Sequence, residues 1–193
     1  MDKKPNNEHA IEGKRVYLRP ITYEDSELIV KWRNQENVRR YFIYREPFSK
    51  EGQDKWMREQ VETKKVYQFI VCENQTDRPI GCTYLRDVDL AYRKAEYGVF
   101  LGEEDTRGKG IGKEILMLTM QFAFKTLQLH KVFARALADN PASIHCFLNS
   151  GFCKEATLRD DVYVDGEYRD VVFVGMLEED YEKSKFCDSL LQE

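Results

Sequence analysis

The stretch GEEDTRGKGIGKE, Gly102 to Glu114, places four glycines and three basic residues between a strand-like run and a long apolar-periodic segment. Glycines let a backbone approach a ligand and turn successive N–H groups toward it, and a following helix adds the positive end of its dipole. Such a junction is suited to phosphate. Two familiar phosphate motifs nevertheless do not fit. A P-loop needs G-x-x-x-x-G-K-[ST], but Arg107 stands where the first glycine belongs and Glu114 where a magnesium-binding hydroxyl belongs. A dinucleotide fingerprint needs G-x-G-x-x-G, and Gly108-Lys109-Gly110 leads instead to Lys113. The readings left are a pyrophosphate held at a helix N-terminus and a solvated basic loop.

The elements that position this stretch are legible on either side of it. KRVYLRP alternates Val16 and Leu18 with Arg15, Tyr17 and Arg19, a strand stopped by Pro20. Thr22 and Asp25 form a capping box that opens a helix through SELIVKWRN, and Ser49 caps a second through KEGQDKWMREQVE. VYQFIVCE, IGCTYLRDV and KAEYGVFL read as the next three strands. After the glycines, Ile111, Ile115, Leu118 and Phe122 share one helical face while Leu116, Met120 and Phe124 occupy others, so this helix is expected to be buried. KVFARAL is a fifth strand. Asn140 as N-cap, Pro141 at the first helical position and Gly151 as terminator bound a further helix. FCKEATLR and YRDVVFVGML are two last strands joined through Asp165-Gly166, a hairpin dipeptide.

The elements read along the chain give an α/β (α+β) class with about seven strands and the helices between them. With 193 residues, 42% hydrophobic and 33% charged, the chain has material for one sizeable core. Residues 1–13 read as a flexible arm, 14–178 as the domain, and 179–193 as a tail that forms an amphipathic helix or frays. No window approaches the ~18 apolar residues of a membrane-spanning helix. MDKKPNNEHAIEGK lacks the apolar core of a signal peptide, so a cytoplasmic location without membrane contact is expected. Five cysteines without a C-x-x-C pair suggest packed thiols and no metal site. A net charge of −4 argues against broad nucleic-acid binding, so any phosphate must be met by a local device.

Arg107-Gly108-Lys109-Gly110-Ile111-Gly112 matches the [QR]-x-x-G-x-[GA] signature of the GNAT acyl-CoA-dependent N-acetyltransferases. Asn140, Ser143, Ile144, Phe147, Gly151 and Phe152 match that superfamily's second motif, N-x-x-[AS]-[IV]-x-x-[YF]-x-x-x-G-F, in the right order and at a typical separation. The resemblance covers about Lys14 to Glu178. LIVKWRN, VRRYF and DGEYRDVVF resemble the branch of ribosomal-protein N-terminal, spermidine and nucleotide-sugar amine acetyltransferases. The resemblance implies one mixed, mostly antiparallel sheet flanked by helices, whose fourth strand bulges and splays from the fifth, with acetyl-CoA as co-substrate in the resulting V. Phe100 and Leu101 would bond the pantetheine arm through their backbone. The amides of Arg107, Gly108, Lys109, Gly110, Gly112 and Lys113 would hold the pyrophosphate. On the opposite wall Asn140 would bond the pantetheine, with Ser143 and Phe147 near the sulfur.

Amine acetylation needs a group or relay to remove a proton from the amine, a donor for charge on the carbonyl oxygen, and an acid for the thiolate. The resemblance makes Glu96 the first choice for the base; the alternative is an ordinary outward-facing strand glutamate. Glu155 and Asp170 could orient a cationic acceptor. Many relatives carry an acid tyrosine where this chain has Phe147, which donates no proton, and Ser143, Tyr84 or solvent are the substitutes. His145 lies in the second motif's helix and could face the site, but a lone histidine is more often a surface or packing residue. Trp32, Arg33, Arg39 and Arg40 fall on the expected acceptor side, where an arginine pair would suit a phosphate or carboxylate. The acceptor is then a small-molecule amine, an amino sugar or a peptide N-terminus, and a homodimer is common in the branch. Two other classes stay open: a non-catalytic acyl-CoA sensor, and an interaction domain.

Overall fold

The computed structural model describes residues 11–106 and 108–184. In chain order the elements are β1 (Ile11–Glu12), β2 (Val16–Pro20), α1 (Ser26–Asn34), α2 (Glu36–Arg39), α3 (Lys50–Trp56), β3 (Tyr67–Glu73), β4 (Pro79–Asp89) and β5 (Lys94–Leu101). Then follow α4 (Ile111–Gln121), β6 (Lys131–Leu137), α5 (Pro141–Leu148), β7 (Cys153–Val164), β8 (Glu167–Leu177) and α6 (Glu178–Lys183). All strands join one sheet in the order β1-β2-β3-β4-β5-β6-β8-β7. The sheet has eight strands where about seven were expected, because the two residues of β1 pair with Leu18 and Tyr17. So short a strand carries no alternation for a sequence to display.

Every pairing is antiparallel except β5 with β6. That parallel ladder pairs Lys94, Ala95 and Glu96 with Lys131, Val132 and Phe133, and past those three the strands part. This is the expected splay. The expected bulge in the same strand is not seen, since β5 runs in unbroken register with β4 from Glu96 opposite Arg86 to Leu101 opposite Gly81. The register shift lies outside that run, between Arg86 and Asp89.

Helices cover both faces over β2 to β5. Ile111, Ile115, Leu118 and Phe122, the stripe legible in the sequence, pack with Val16, Leu18 and Val71 on one side of α4. Leu116, Met117, Met120 and Phe124 pack in a second cluster that reaches Phe147 and Val174. One helix thus divides two cores, which is why it is apolar around its girth. On the other face Tyr17, Cys72, Cys82 and Phe100 meet Ile29 and Trp32 of α1. Tyr17, expected on a polar face, is therefore buried, because β2 is covered on both sides. The start of the 179–193 tail is helical: Tyr181 is buried and packs on Phe124 at 5.3 Å.

The Thr22–Asp25 capping box is formed ahead of α1. The Asp25 carboxylate accepts from the Thr22 amide at 2.8 Å and from both Arg19 guanidinium nitrogens at 2.8 and 2.6 Å. Burial alone would raise its pKa; the Arg19 and Thr22 bonds outweigh that and hold it below the usual carboxylate range. A depressed folded-state pKa contributes stability above the unfolded value that is lost as pH falls through the folded one. Asp25→Asn is therefore expected to melt lower than the parent at pH 7, with the gap closing from about pH 4 downward. Thermal melts across pH 7 to 2 check it, and a gap that does not narrow would count against the ion pair.

Candidate functional site

The glycine loop is tied from outside. Gly108 and Gly110 both adopt φ +74°, the left-handed region open to glycine at little cost. The Arg15 guanidinium donates to the carbonyl oxygens of Lys109 at 2.6 Å and Gly110 at 3.2 Å. Its Nε donates to Glu114 Oε2 at 2.8 Å, while Glu114 Oε1 accepts from the amides of Arg15 at 2.7 Å and Val16 at 3.3 Å. Glu114, in the first turn of α4, is buried. In a trans peptide the N–H points opposite to the C=O, so carbonyls drawn to Arg15 turn the amides of Gly110 and Ile111 the other way. A Cβ built on Gly112 would lie 3.8 Å from Cys146 Sγ, so the start of α4 faces α5. Lys109 is exposed and Lys113 half-buried, whereas Arg107 lies outside the described residues. Gly102, at the head of the stretch, serves packing: the Trp32 ring lies where its Cβ would be, 2.1 Å from the nearest ring atoms.

The second wall is α5. Asn140 Oδ1 accepts from the Ser143 amide at 3.2 Å, and Pro141 opens the helix. Asn140 is buried and Ser143 half-buried, while His145 is exposed. Phe147 is buried, 6.0 Å from Tyr97 edge-on and 5.5 Å from Phe152. Tyr97, on β5, carries a buried hydroxyl with no hydrogen-bond partner. Burial, reinforced by Cys146, holds its pKa well above the ordinary phenol range, so it stays protonated. Phe100 is buried between Trp32 at 6.3 Å and Phe42 at 5.8 Å, at the end of β5 beside Leu101.

Glu96 stands at the last rung before β5 and β6 part. It is buried, and both oxygens are taken: Oε1 by Arg86 at 2.8 Å and Arg135 Nε at 3.1 Å, Oε2 by Arg135 Nη2 at 3.1 Å. Neither arginine was singled out from sequence, because only the register reveals that they meet. Tyr84 lies flat over Gly98, whose built Cβ would be 2.2 Å from its Cζ. Glu155 pairs with Lys131 at 2.7 Å and Asp170 accepts from the Asp160 amide at 3.0 Å, so both are engaged elsewhere. Arg39 pairs with Glu36 at 3.7 Å and Arg40 covers the Tyr41 ring at 4.7 Å. A cavity of about 630 Å³ lies beside this region, lined by Gln35, Glu36, Asn37, Gly102, Glu103, Glu104 and Asp105. Among the described residues no helix is long and apolar enough to cross a membrane.

A family model described as Acetyltransferase (GNAT) domain matches residues 15–153. The spermidine N(1)-acetyltransferase of Vibrio cholerae is 25% identical over 168 residues, 86% of this chain and 95% of that one. The SPbeta prophage-derived uncharacterized N-acetyltransferase YokL of Bacillus subtilis is 30% identical over 171 residues, 88% of this chain and 94% of that one. Among solved structures, spermidine N-acetyltransferase from Vibrio cholerae in complex with CoA and spermine superposes with a TM-score of 0.82 over 89% of this chain and all of that one, at 23% identity. The family model spans well over half of the chain, and the chain belongs to the GNAT acetyltransferase family.

Proposed function

We propose that this N-acetyltransferase works by direct attack of a primary amine on acetyl-CoA within a ternary complex, with no acyl group passing through the protein. The observation that carries the reading is the opening between β5 and β6, with the glycine loop at the start of α4 on one wall and α5 on the other. The loop suits the cofactor's diphosphate: left-handed glycines, a helix N-terminus, and amides turned away from Arg15. Gly108, Lys109, Gly110, Gly112 and Lys113 would hold it, with Arg107 as a further member. Phe100, Leu101 and Asn140 would hold the pantetheine arm. Acetyl-CoA supplies a thioester carbonyl: the C–N bond forms, the C–S bond breaks, the nitrogen loses a proton and the thiol gains one.

Glu96 remains the first candidate for the amine's proton, and its surroundings set the terms of a test. Both oxygens meet guanidinium groups, so an amine or relay water must share one of them. If Glu96 takes the proton, Glu96→Gln lowers kcat by about 10²–10⁴-fold. If it only holds Arg86 and Arg135, the same change raises the acceptor KM and leaves kcat near the parent value. Ser143 and the protonated, unpartnered Tyr97 are the candidate donors to the departing thiolate. Relatives named as N-acetyltransferases weigh against a non-catalytic sensor. The deciding assay is thiol release from acetyl-CoA over a panel of amines. Coenzyme A binding with no release on any amine would instead support the sensor.

The acceptor classes carried by the relatives' names include spermidine. A cytoplasmic location and self-association belong to the same proposal; one structural neighbour is described as dodecameric.

A further inference from the structure

The face of the cleft turned toward α1 and α3 carries an uncompensated positive charge. Beside β5, the Arg33 guanidinium stands 3.7 Å from the centre of the Phe42 ring, 4.2 Å from Phe48 and 5.6 Å from Phe100. Aromatic faces stabilise a cation but do not neutralise it. No carboxylate among the described residues pairs with Arg33, and its Nε is buried without a hydrogen-bond partner. Burial, with repulsion from Arg86 as a lesser cause, draws its pKa down, although a guanidinium remains charged. Across the opening, Arg135 on β6 and Arg86 on β4 share the single carboxylate of Glu96. Arg86 also has the exposed Asp87 carboxylate at 4.0 Å, so three guanidinium groups face two acids, of which only Glu96 is buried. Lys131 adds nothing to the excess, since Glu155 pairs with it.

The neighbouring acidic cavity does not supply the missing counter-charge or an open cation site. Trp32 Nε1 donates to Glu103 at 2.9 Å, Arg78 pairs with Asp105 at 2.8 Å, Asn37 donates to Glu104 and Arg39 pairs with Glu36. Its carboxylates are occupied, and none of them reaches Arg33. Tyr84 offers this guanidinium a neutral hydroxyl but no charge, and a half-buried cation without a carboxylate is costly unless a ligand brings the anion.

We propose that the acceptor amine carries its own carboxylate or phosphate, received by Arg33 and Arg135 on the two lips of the cleft while the amine lies toward Glu96. This rests on the acetyltransferase reading and narrows it, since a polyamine would bring only further positive charge to the same face. The test uses matched acceptors that differ by the anion alone: glucosamine with glucosamine 6-phosphate, and β-alaninamide with β-alanine. Spermidine stands for the polyamines. Calorimetric titration into the coenzyme A-saturated protein measures binding, and thiol release from acetyl-CoA measures turnover. The anionic member of at least one pair is expected to bind about tenfold or more tighter, as a charge-assisted contact gives. Which pair shows it separates phosphate from carboxylate. Arg33→Gln and Arg135→Gln should each remove most of that preference; the second leaves the aromatic cage untouched, and thermal melts establish that both fold. No anionic advantage in either pair, spermidine as the best ligand, or a preference that survives both substitutions overturns the proposal. Absence of thiol release with every amine would instead overturn the acetyltransferase reading, and the titrations would still decide this one.

Discussion

Gly112→Asp is expected to weaken acetyl-CoA binding by at least about a hundredfold while leaving the melting temperature close to that of the parent. Gly112 lies in the first turn of α4, and its built Cβ meets only Cys146 Sγ at the ordinary contact distance of 3.8 Å. A side chain fits there without strain, and an acidic residue in a first helical turn favours the helix. The penalty falls on the ligand. A carboxylate about 4 Å from one phosphate charge costs roughly 4 kcal/mol at an effective dielectric constant near 20, several hundredfold or more in affinity. Gly112→Ala, which adds the Cβ without the charge, should stay within about threefold. Titration with coenzyme A and a thermal melt of each variant suffice. An aspartate variant that binds like the parent would remove the pyrophosphate from this loop. Gly110 is a poorer probe, because its Cβ would point at the Arg15 guanidinium, 3.8 Å away, and its backbone is left-handed.

The second large effect is expected at a residue that touches no ligand. Glu114→Ala removes the acceptor of two backbone amides and the partner of Arg15, all at a buried carboxylate. Arg15 is exposed and is left solvated, so the cost falls on the amides that lose their acceptor, about 2–5 kcal/mol together. In a chain of this size that is roughly 10 °C in melting temperature. Glu114→Gln keeps an oxygen for the amides and loses only the ion pair, so it should fall between parent and alanine. Arg15 also draws in the carbonyls of Lys109 and Gly110, so loosening it should weaken coenzyme A binding in the same rank order. Stability that falls while cofactor affinity holds would show that Glu114 supports β2 alone.

What was legible in the sequence was what speaks locally. The runs KAEYGVFL and KVFARAL coincide with β5 and β6, Asn140 and Pro141 set the start of α5, and Asp165 and Gly166 both take positive φ in the β7–β8 turn. Glycines and N-caps act within a few residues, so the two motifs could be read without a fold. Longer-range features could not. β7 continues to Val164 because β8 pairs with it, beyond where its apolar pattern fades. Glu96 could be read as a base or as an ordinary outward-facing strand glutamate, and neither reading included its two guanidinium partners. The register brings Arg86 opposite it and a parallel ladder brings Arg135 beside it, partners 10 and 39 positions away. Arg15 and Glu114 are 99 positions apart, and nothing in either neighbourhood announces the other. Phe147 was recognised as unusual, yet the phenol edge-on to it, Tyr97, was hidden inside an ordinary strand pattern.

The three rungs that join β5 to β6 leave the sheet with an open seam in its interior. Past Glu96 the edge of β5 is no longer accompanied by β6, and an unaccompanied strand edge is a place where another chain can add itself. A pantetheine arm laid along that seam would behave as a ninth, borrowed strand. On that proposed binding mode the donor substrate would also be a structural part, closing a seam that β6 leaves open.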